Sequence, residues 1–207
     1  MNHNEIITQA INELTKSVLK LEKTTDIPQE LDAVEGRRFL LRMLSASVDS
    51  FVEYIDADRP QFRHSEGPHR KMFGDCPDAD YLQAPIDLRN GRSYMVRGKI
   101  PEGTNYVGVM LYGRGGRIGV CLTDEQLEID SDGRFEVLIS PNPEDNPTLL
   151  GDGDEHLVMV RQYFTNRNTQ PPLELEVKFL GDVPNPRTLN PAWLAKRIEL
   201  SRRMLES

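Results

Sequence analysis

Apolar residues recur every three or four positions near the start of the chain and every second position through its later half. This change of period divides the molecule. Ile7, Ile11, Leu14, Val18 and Leu21 fall on one helical stripe. A second stripe runs through Val34, Leu41, Leu44, Val48, Phe51 and Ile55, weakened by Gly36. The linker TTDIPQE lies between them, where Thr25 or Asp26 can cap and Pro28 suits a first helical turn. The pair predicts an N-terminal helical hairpin over residues 1–57. Its stripe must be covered either by a β core or by the same hairpin of a second subunit, and the width of the apolar face favours the β core.

From Asp56 to Asn90 the periodicity fades, and proline, glycine and aspartate supply turns and caps rather than a core. This predicts a long loop, 58–92, packed on a β core formed by the rest of the chain. Strand candidates then come in quick succession: SYMVRGK, NYVGVMLYG, RIGVCL, QLEID, RFEVLIS, HLVMVRQYF and LELEVKFL. In the last, Leu173, Leu175, Val177 and Phe179 alternate with Glu174, Glu176 and Lys178, so one face meets a core and the other meets water. The Asp-Gly turn in SDGR makes QLEID and RFEVLIS a predicted hairpin. The chain closes on a helix capped by Asn190 with Pro191 in its first turn, placing Leu194, Ile198 and Leu205 on one side. The predicted class is mainly β with helical additions (α+β). An antiparallel sandwich or barrel over 93–183 is preceded by the hairpin and followed by a C-terminal helix over 184–207, in one structural unit.

Composition narrows the function. With 25 lysines and arginines against 33 acids in 207 residues, the net charge of −8 argues against nucleic acid and against an anionic membrane surface as partners. The N-terminus has no basic start or apolar run, and no later segment approaches a membrane span, so a cytoplasmic location is expected. Cys76 and Cys121 show no metal-type pairing and read as free thiols.

The feature that asks for chemistry is Arg161, in the middle of the apolar run HLVMVRQYF. A guanidinium is costly to remove from water unless something negative meets it. Strand alternation puts Arg161 on the same side as Leu157, Met159 and Tyr163. Two readings are open. An acid from the preceding segment, with Asp75, Asp78 and Asp80 as candidates, could pair with Arg161 and pin that segment across the sheet. Alternatively, Arg161 could anchor a carboxylate, phosphate or sulfate, with Tyr163 lining the pocket. The structural pairing is the expected one. His64 and His69, near Asp75 and Cys76, are metal-binding residue types without a metal-binding spacing, so neither metal nor cofactor is expected. YGRGGRIG lacks the lysine that ends a phosphate loop and reads as a glycine-rich hairpin connection, and GDGDE reads as a solvated turn.

EGRRFLLRML, DADRPQF, GDCPDADYLQAPID, SYMVRGK, DGRFEVLIS and LVMVRQYF, in this order and spacing, resemble the short members of the family catalogued as domain of unknown function 1214. Gly74, Asp75, Pro77, Asp78 and Tyr81 fit the family's loop pattern, Cys76 stands where the pattern has asparagine, and Thr148 stands where longer relatives carry tryptophan. The resemblance implies a jelly-roll-like sandwich core and no particular activity. The leading expectation for function is a small-molecule-binding sandwich. Its pocket would hold an amphipathic acid between the long loop and a sheet face, lined by Tyr94, Arg161, Tyr163, Asp75, Asp78, Tyr81 and His69. The alternatives are a metabolic enzyme using loop acids or His69 for acid–base chemistry, and an interaction scaffold that dimerises through its N-terminal helices.

Overall fold

The computed structural model describes residues 3–66, 70, 72–186 and 188–207. They gather into two compact units, Met1–Ile55 with Asn185–Ser207, and Asp56–Pro184.

The helical unit contains α1 (His3–Glu22), α2 (Glu30–Val48), which runs on as a wide turn through Asp49–Glu53, and α3 (Pro191–Glu206). As predicted, the Asn190 side chain caps α3 by accepting the Trp193 N–H at 2.9 Å, with Pro191 in the first turn. The start of α2 differs from expectation. Gln29 is its N-cap and makes no side-chain cap bond. The Thr25 hydroxyl donates instead to the Glu22 carbonyl at 2.7 Å, and its methyl lies 3.1 Å from where a Cβ on residue 36 would sit. Gly36 is therefore where the linker crosses α2 at close range.

α3 packs on both α1 and α2. The side of α2 that is buried carries Ala33, Leu40, Met43, Ala46 and Ser47, whereas Val34 and Leu41, read from the sequence as core, are 54% and 63% exposed. The cause is close approach. Ser17, Ser47 and Ser201 are all buried, and the Ser201 hydroxyl donates to the Ser47 carbonyl at 3.1 Å. Small hydroxyl-bearing residues let helices touch, and a search for large apolar side chains does not see them. No described helix is long and apolar enough to cross a membrane.

The second unit is a two-sheet sandwich. Its strands are β1 (Arg63–Glu66), β2 (Ala79–Pro85), β3 (Tyr94–Lys99), β4 (Tyr106–Gly113), β5 (Ile118–Thr123), β6 (Arg134–Ser140), β7 (Leu149–Leu150), β8 (Glu155–Tyr163) and β9 (Glu174–Phe179). One sheet has the order β1-β2-β8-β4-β5 and the other β7-β6-β3-β9. Neighbours are antiparallel except β6 and β7. The core between the sheets takes Ala84, Val107, Val109, Leu111, Val158 and Val160 from one side and Tyr94, Val96, Phe135, Val137, Ile139 and Val177 from the other.

Two predicted elements are corrected. Segment 58–92 is not a loop throughout, because it carries β1 and β2, and β2 is buried at every position but Pro85. Flanking prolines, with Asp80 and Gln83 inside the run, disguise it as a turn region. QLEID is not a strand. Only an isolated bridge joins Ile129 to Phe135, and the Asp130 carboxylate accepts the N–H groups of Asp132 and Arg134 at 2.9 and 2.8 Å. A side chain that bonds the nearby backbone competes with the ladder, here in favour of the turn.

Candidate functional site

Side-chain parity along β8 sets the site. Val158, Val160 and Gln162 face the core, so Leu157, Met159, Arg161 and Tyr163 face the outside of the five-stranded sheet. In register, Arg161 stands between Tyr81 of β2 and Gly108 of β4, while Tyr163 stands between Ala79 and Tyr106. Ala79, Tyr81 and Met159 form a small second apolar cluster there, joined by Cys76, Tyr112 and Tyr163.

Arg161 is surrounded by phenols. Its Nη2 donates to the Tyr112 hydroxyl at 2.7 Å, and its guanidinium carbon lies 5.4 Å from the centre of the Tyr81 ring. Tyr106 and Tyr163 meet edge to face at 5.4 Å. A Cβ on residue 108 would come within 2.5 Å of the Tyr106 hydroxyl oxygen, so Gly108 leaves the space in which that phenol lies across β4 toward Arg161. Burial raises the pKa of Tyr81, opposed by the Cys76 amide, which donates to its hydroxyl at 3.0 Å. Burial also raises that of Tyr106, with Cys121 adding to the rise and Arg161 opposing it. Both phenols are therefore neutral at physiological pH.

The expected acid partner is not what Arg161 meets. Among the described residues no carboxylate pairs with it, and its buried Nε has no hydrogen-bond acceptor. Asp75 accepts the Met72 N–H at 2.8 Å, and Asp78 lies exposed in a turn with its carbonyl accepting the Phe164 N–H at 2.8 Å. Asp80 is buried and pairs with Arg167 at 2.5 Å. Arg167 also lies over the Phe164 ring at 4.4 Å and donates to the Pro77 carbonyl at 3.1 Å. The pin across this segment is thus Arg167. The reason is alternation: Asp80 is adjacent to Tyr81 on β2 and projects to the opposite face from Arg161.

Of the other predicted site residues, Tyr81 and Tyr163 join Arg161 and Tyr94 does not. Tyr94 belongs to β3 in the opposite sheet and is fully buried in the main core. Its hydroxyl accepts the Asp87 N–H at 3.0 Å and an Arg92 N–H at 3.1 Å and donates to the Ala57 carbonyl at 3.0 Å. His69 lies outside the described residues. Tyr106, Tyr112 and Arg167 are absent from the residues expected at the site, although in NYVGVMLYG the tyrosines and Met110 alternate with the aliphatic core residues. Glu155, read as part of a solvated turn, is only 2% exposed and accepts the N–H groups of Asp152 and Gly153, which makes it the fastener of that turn. Cys76 and Cys121 are free and half-buried, and no cluster of metal-ligating side chains occurs among the described residues. A cleft of about 600 Å³, lined by Lys99, Glu102, Asp130, Asp132 and Glu174 among others, contains none of the predicted site residues.

No protein-family model matches the chain, and no curated protein matches it significantly. Among solved structures, the chain is similar to an uncharacterised protein from Burkholderia cenocepacia, with a TM-score of 0.83 and 25% identity over 99% of this chain and 59% of that one. A protein from Vibrio parahaemolyticus aligns over 52% of this chain and 32% of its own, at 21% identity and a TM-score of 0.42. Fold and site together define a class: a two-sheet sandwich with helical additions that carries a guanidinium, without an acid partner among the described residues, in a tyrosine patch on its outer sheet face.

Proposed function

We propose that this patch binds a small organic anion, a carboxylate with an apolar body, with Arg161 holding the charge. The single observation that carries the reading is the Arg161 guanidinium, whose only hydrogen bond among the described residues goes to a neutral phenol while its buried Nε goes unmet. A buried donor left without an acceptor costs about 1–3 kcal/mol, so no pairing among the described residues explains this arginine, and the guanidinium N–H groups outside the buried Nε offer an incoming carboxylate a charge-assisted bond. Tyr106, Met110, Tyr112 and Tyr163, each partly exposed, supply apolar and aromatic surface for the ligand's body. The described partners of Arg161 are a neutral hydroxyl that accepts from it and an aromatic ring, neither of which is a base that would take a proton from a ligand. This favours binding over turnover.

Decanoate is a suitable probe, with decanol as the uncharged control and inorganic phosphate as the anion without an apolar body. Decanoate should raise the melting temperature in proportion to its concentration, the two controls should not, and Arg161→Met should abolish the response. An equal response in Arg161→Met, or an equal response to decanol, would refute the role given to the guanidinium.

A further inference from the structure

We infer that α2 is the dimerisation helix of this protein and that it pairs with α2 of a second copy in antiparallel fashion. This stands apart from the anion site and rests on other residues. Leu31, Val34, Arg38, Leu41 and Ser45 follow one another along α2 at steps of three, four, three and four, the spacing of a coiled-coil seam. The seam faces outward. Leu31 is 73% exposed, Leu41 63% and Val34 54%, while Ala33, Leu40 and Met43, on the opposite side, are buried.

The charges beside the seam say what covers it. One flank carries Glu30 and Arg37, the other Glu35 and Arg42, so each flank is acidic toward the start of the helix and basic toward its end. In an antiparallel pair like flanks meet with their directions reversed. Glu35 then converges on Arg42 of the second copy, twice across the two-fold axis, while on the other flank Arg37 comes nearest its counterpart in the second copy and keeps Glu22 as its counter-charge within the chain. In the same register Leu31 layers on Leu41 of the second copy, and Val34 layers under the aliphatic stem of its Arg38. A two-fold axis generates each of these contacts twice, as an isologous interface requires. A parallel pair would set Glu30 against Glu35, Arg37 against Arg42 and Arg38 against itself, all repulsive. Within the chain, Arg37 reaches Glu22 at 2.8 Å and Arg38 reaches Glu35 at 3.1 Å, while Glu30 and Arg42 have no partner among the described residues. The surface is thus self-complementary in its apolar seam and along its Glu35 and Arg42 flank, which points to a second copy of this chain rather than to a different protein.

Sedimentation equilibrium of the full chain at low salt tests this. The apparent mass should rise with concentration from 23.6 kDa toward twice that value. Leu41→Glu, at a position exposed in the single chain, should leave the circular dichroism spectrum unchanged and weaken dimerisation by at least about tenfold. Glu35→Arg alone should weaken it several-fold, and Glu35→Arg combined with Arg42→Glu should restore it. A chain that stays monomeric at every concentration, or a dimer indifferent to Leu41→Glu, overturns the inference. A dimer strengthened by Glu35→Arg, the result a parallel pair gives by bringing that arginine to Glu30, overturns the antiparallel arrangement.

Discussion

Arg161→Met separates a guanidinium that waits for a ligand from one that fastens the fold. The substitution keeps an unbranched side chain of similar reach and removes the charge. From the geometry, it deletes one charge-assisted hydrogen bond to Tyr112 and one cation–ring contact with Tyr81. Those losses are about 1.5–3 and about 0.5–1 kcal/mol. Against them stands removal of the unmet Nε and of a partly desolvated charge, a relief of about 1–3 kcal/mol. At the middle of each range the losses exceed the relief by about 1 kcal/mol, so the ligand-free protein should lose about 1 kcal/mol of stability and no more than about 3. The internal control is Asp80→Asn. Asp80 is 5% exposed and its partner Arg167 has a side chain 28% exposed, so breaking the pair leaves a poorly solvated cation and should cost about 2–3 kcal/mol, below the full cost of breaking a wholly buried pair. Urea unfolding followed by tyrosine near-ultraviolet dichroism reads the sandwich, and the fluorescence of Trp193 in α3 reports separately on the helical unit. A loss of more than about 3 kcal/mol in Arg161→Met would refute the reasoning, because it is the loss of a buried charge from its structural counter-charge.

Tyr94→Phe strips a hydroxyl that serves two donors and one acceptor, and should cost about 1–3 kcal/mol in the same unfolding assay without altering the decanoate response. Gly108→Ala forces the Tyr106 hydroxyl aside from a contact of 2.5 Å. Because the far end of a side chain can move, stability should fall by under about 1 kcal/mol while the decanoate response changes, as thermal shift will show. Burial raises the phenol pKa values of Tyr81, Tyr94 and Tyr106 in the folded chain. Their folded values exceed their unfolded ones, so the associated stability is fully present below about pH 10 and is lost as pH rises through the folded values, measurable as a falling urea midpoint that tracks phenolate absorbance.

What could be read from the sequence was local. The apolar run HLVMVRQYF matches β8 to within one residue at each end, and Asn190 with Pro191 marks the start of α3, because strand alternation and helix capping depend on neighbours in the chain. What escaped depends on register between distant segments. β2 carries an acid and a glutamine and sits between prolines, and only its pairing with β8, Tyr81 beside Arg161, reveals it as an interior strand. The choice between Arg161 and Arg167 as the partner of Asp80 likewise turns on which face of β2 that acid occupies. Tyr106 and Tyr112 could have been put on one face by parity alone, but their approach to Arg161 comes from the alignment of Gly108 with it.

The misplaced stripe on α2 obeys the same logic and reaches further. Hydrophobic size and burial part company where helices come close, since the positions at the contact must be small: Ala33, Ala46 and Ser47 are buried while Leu31, Val34 and Leu41 are not. Three large aliphatic side chains on one line of an exposed helix forgo several kcal/mol of burial, at about 1.5–3 kcal/mol for each residue fully covered. A face with that much unrealised burial and charges set to repel a parallel copy suits a partner, since no described residue of its own helical unit covers it. Arg161 presents the polar counterpart in the other unit, a group whose strongest interaction the chain's described residues do not supply. In both places the residues that resist explanation by the fold are the ones from which function is argued.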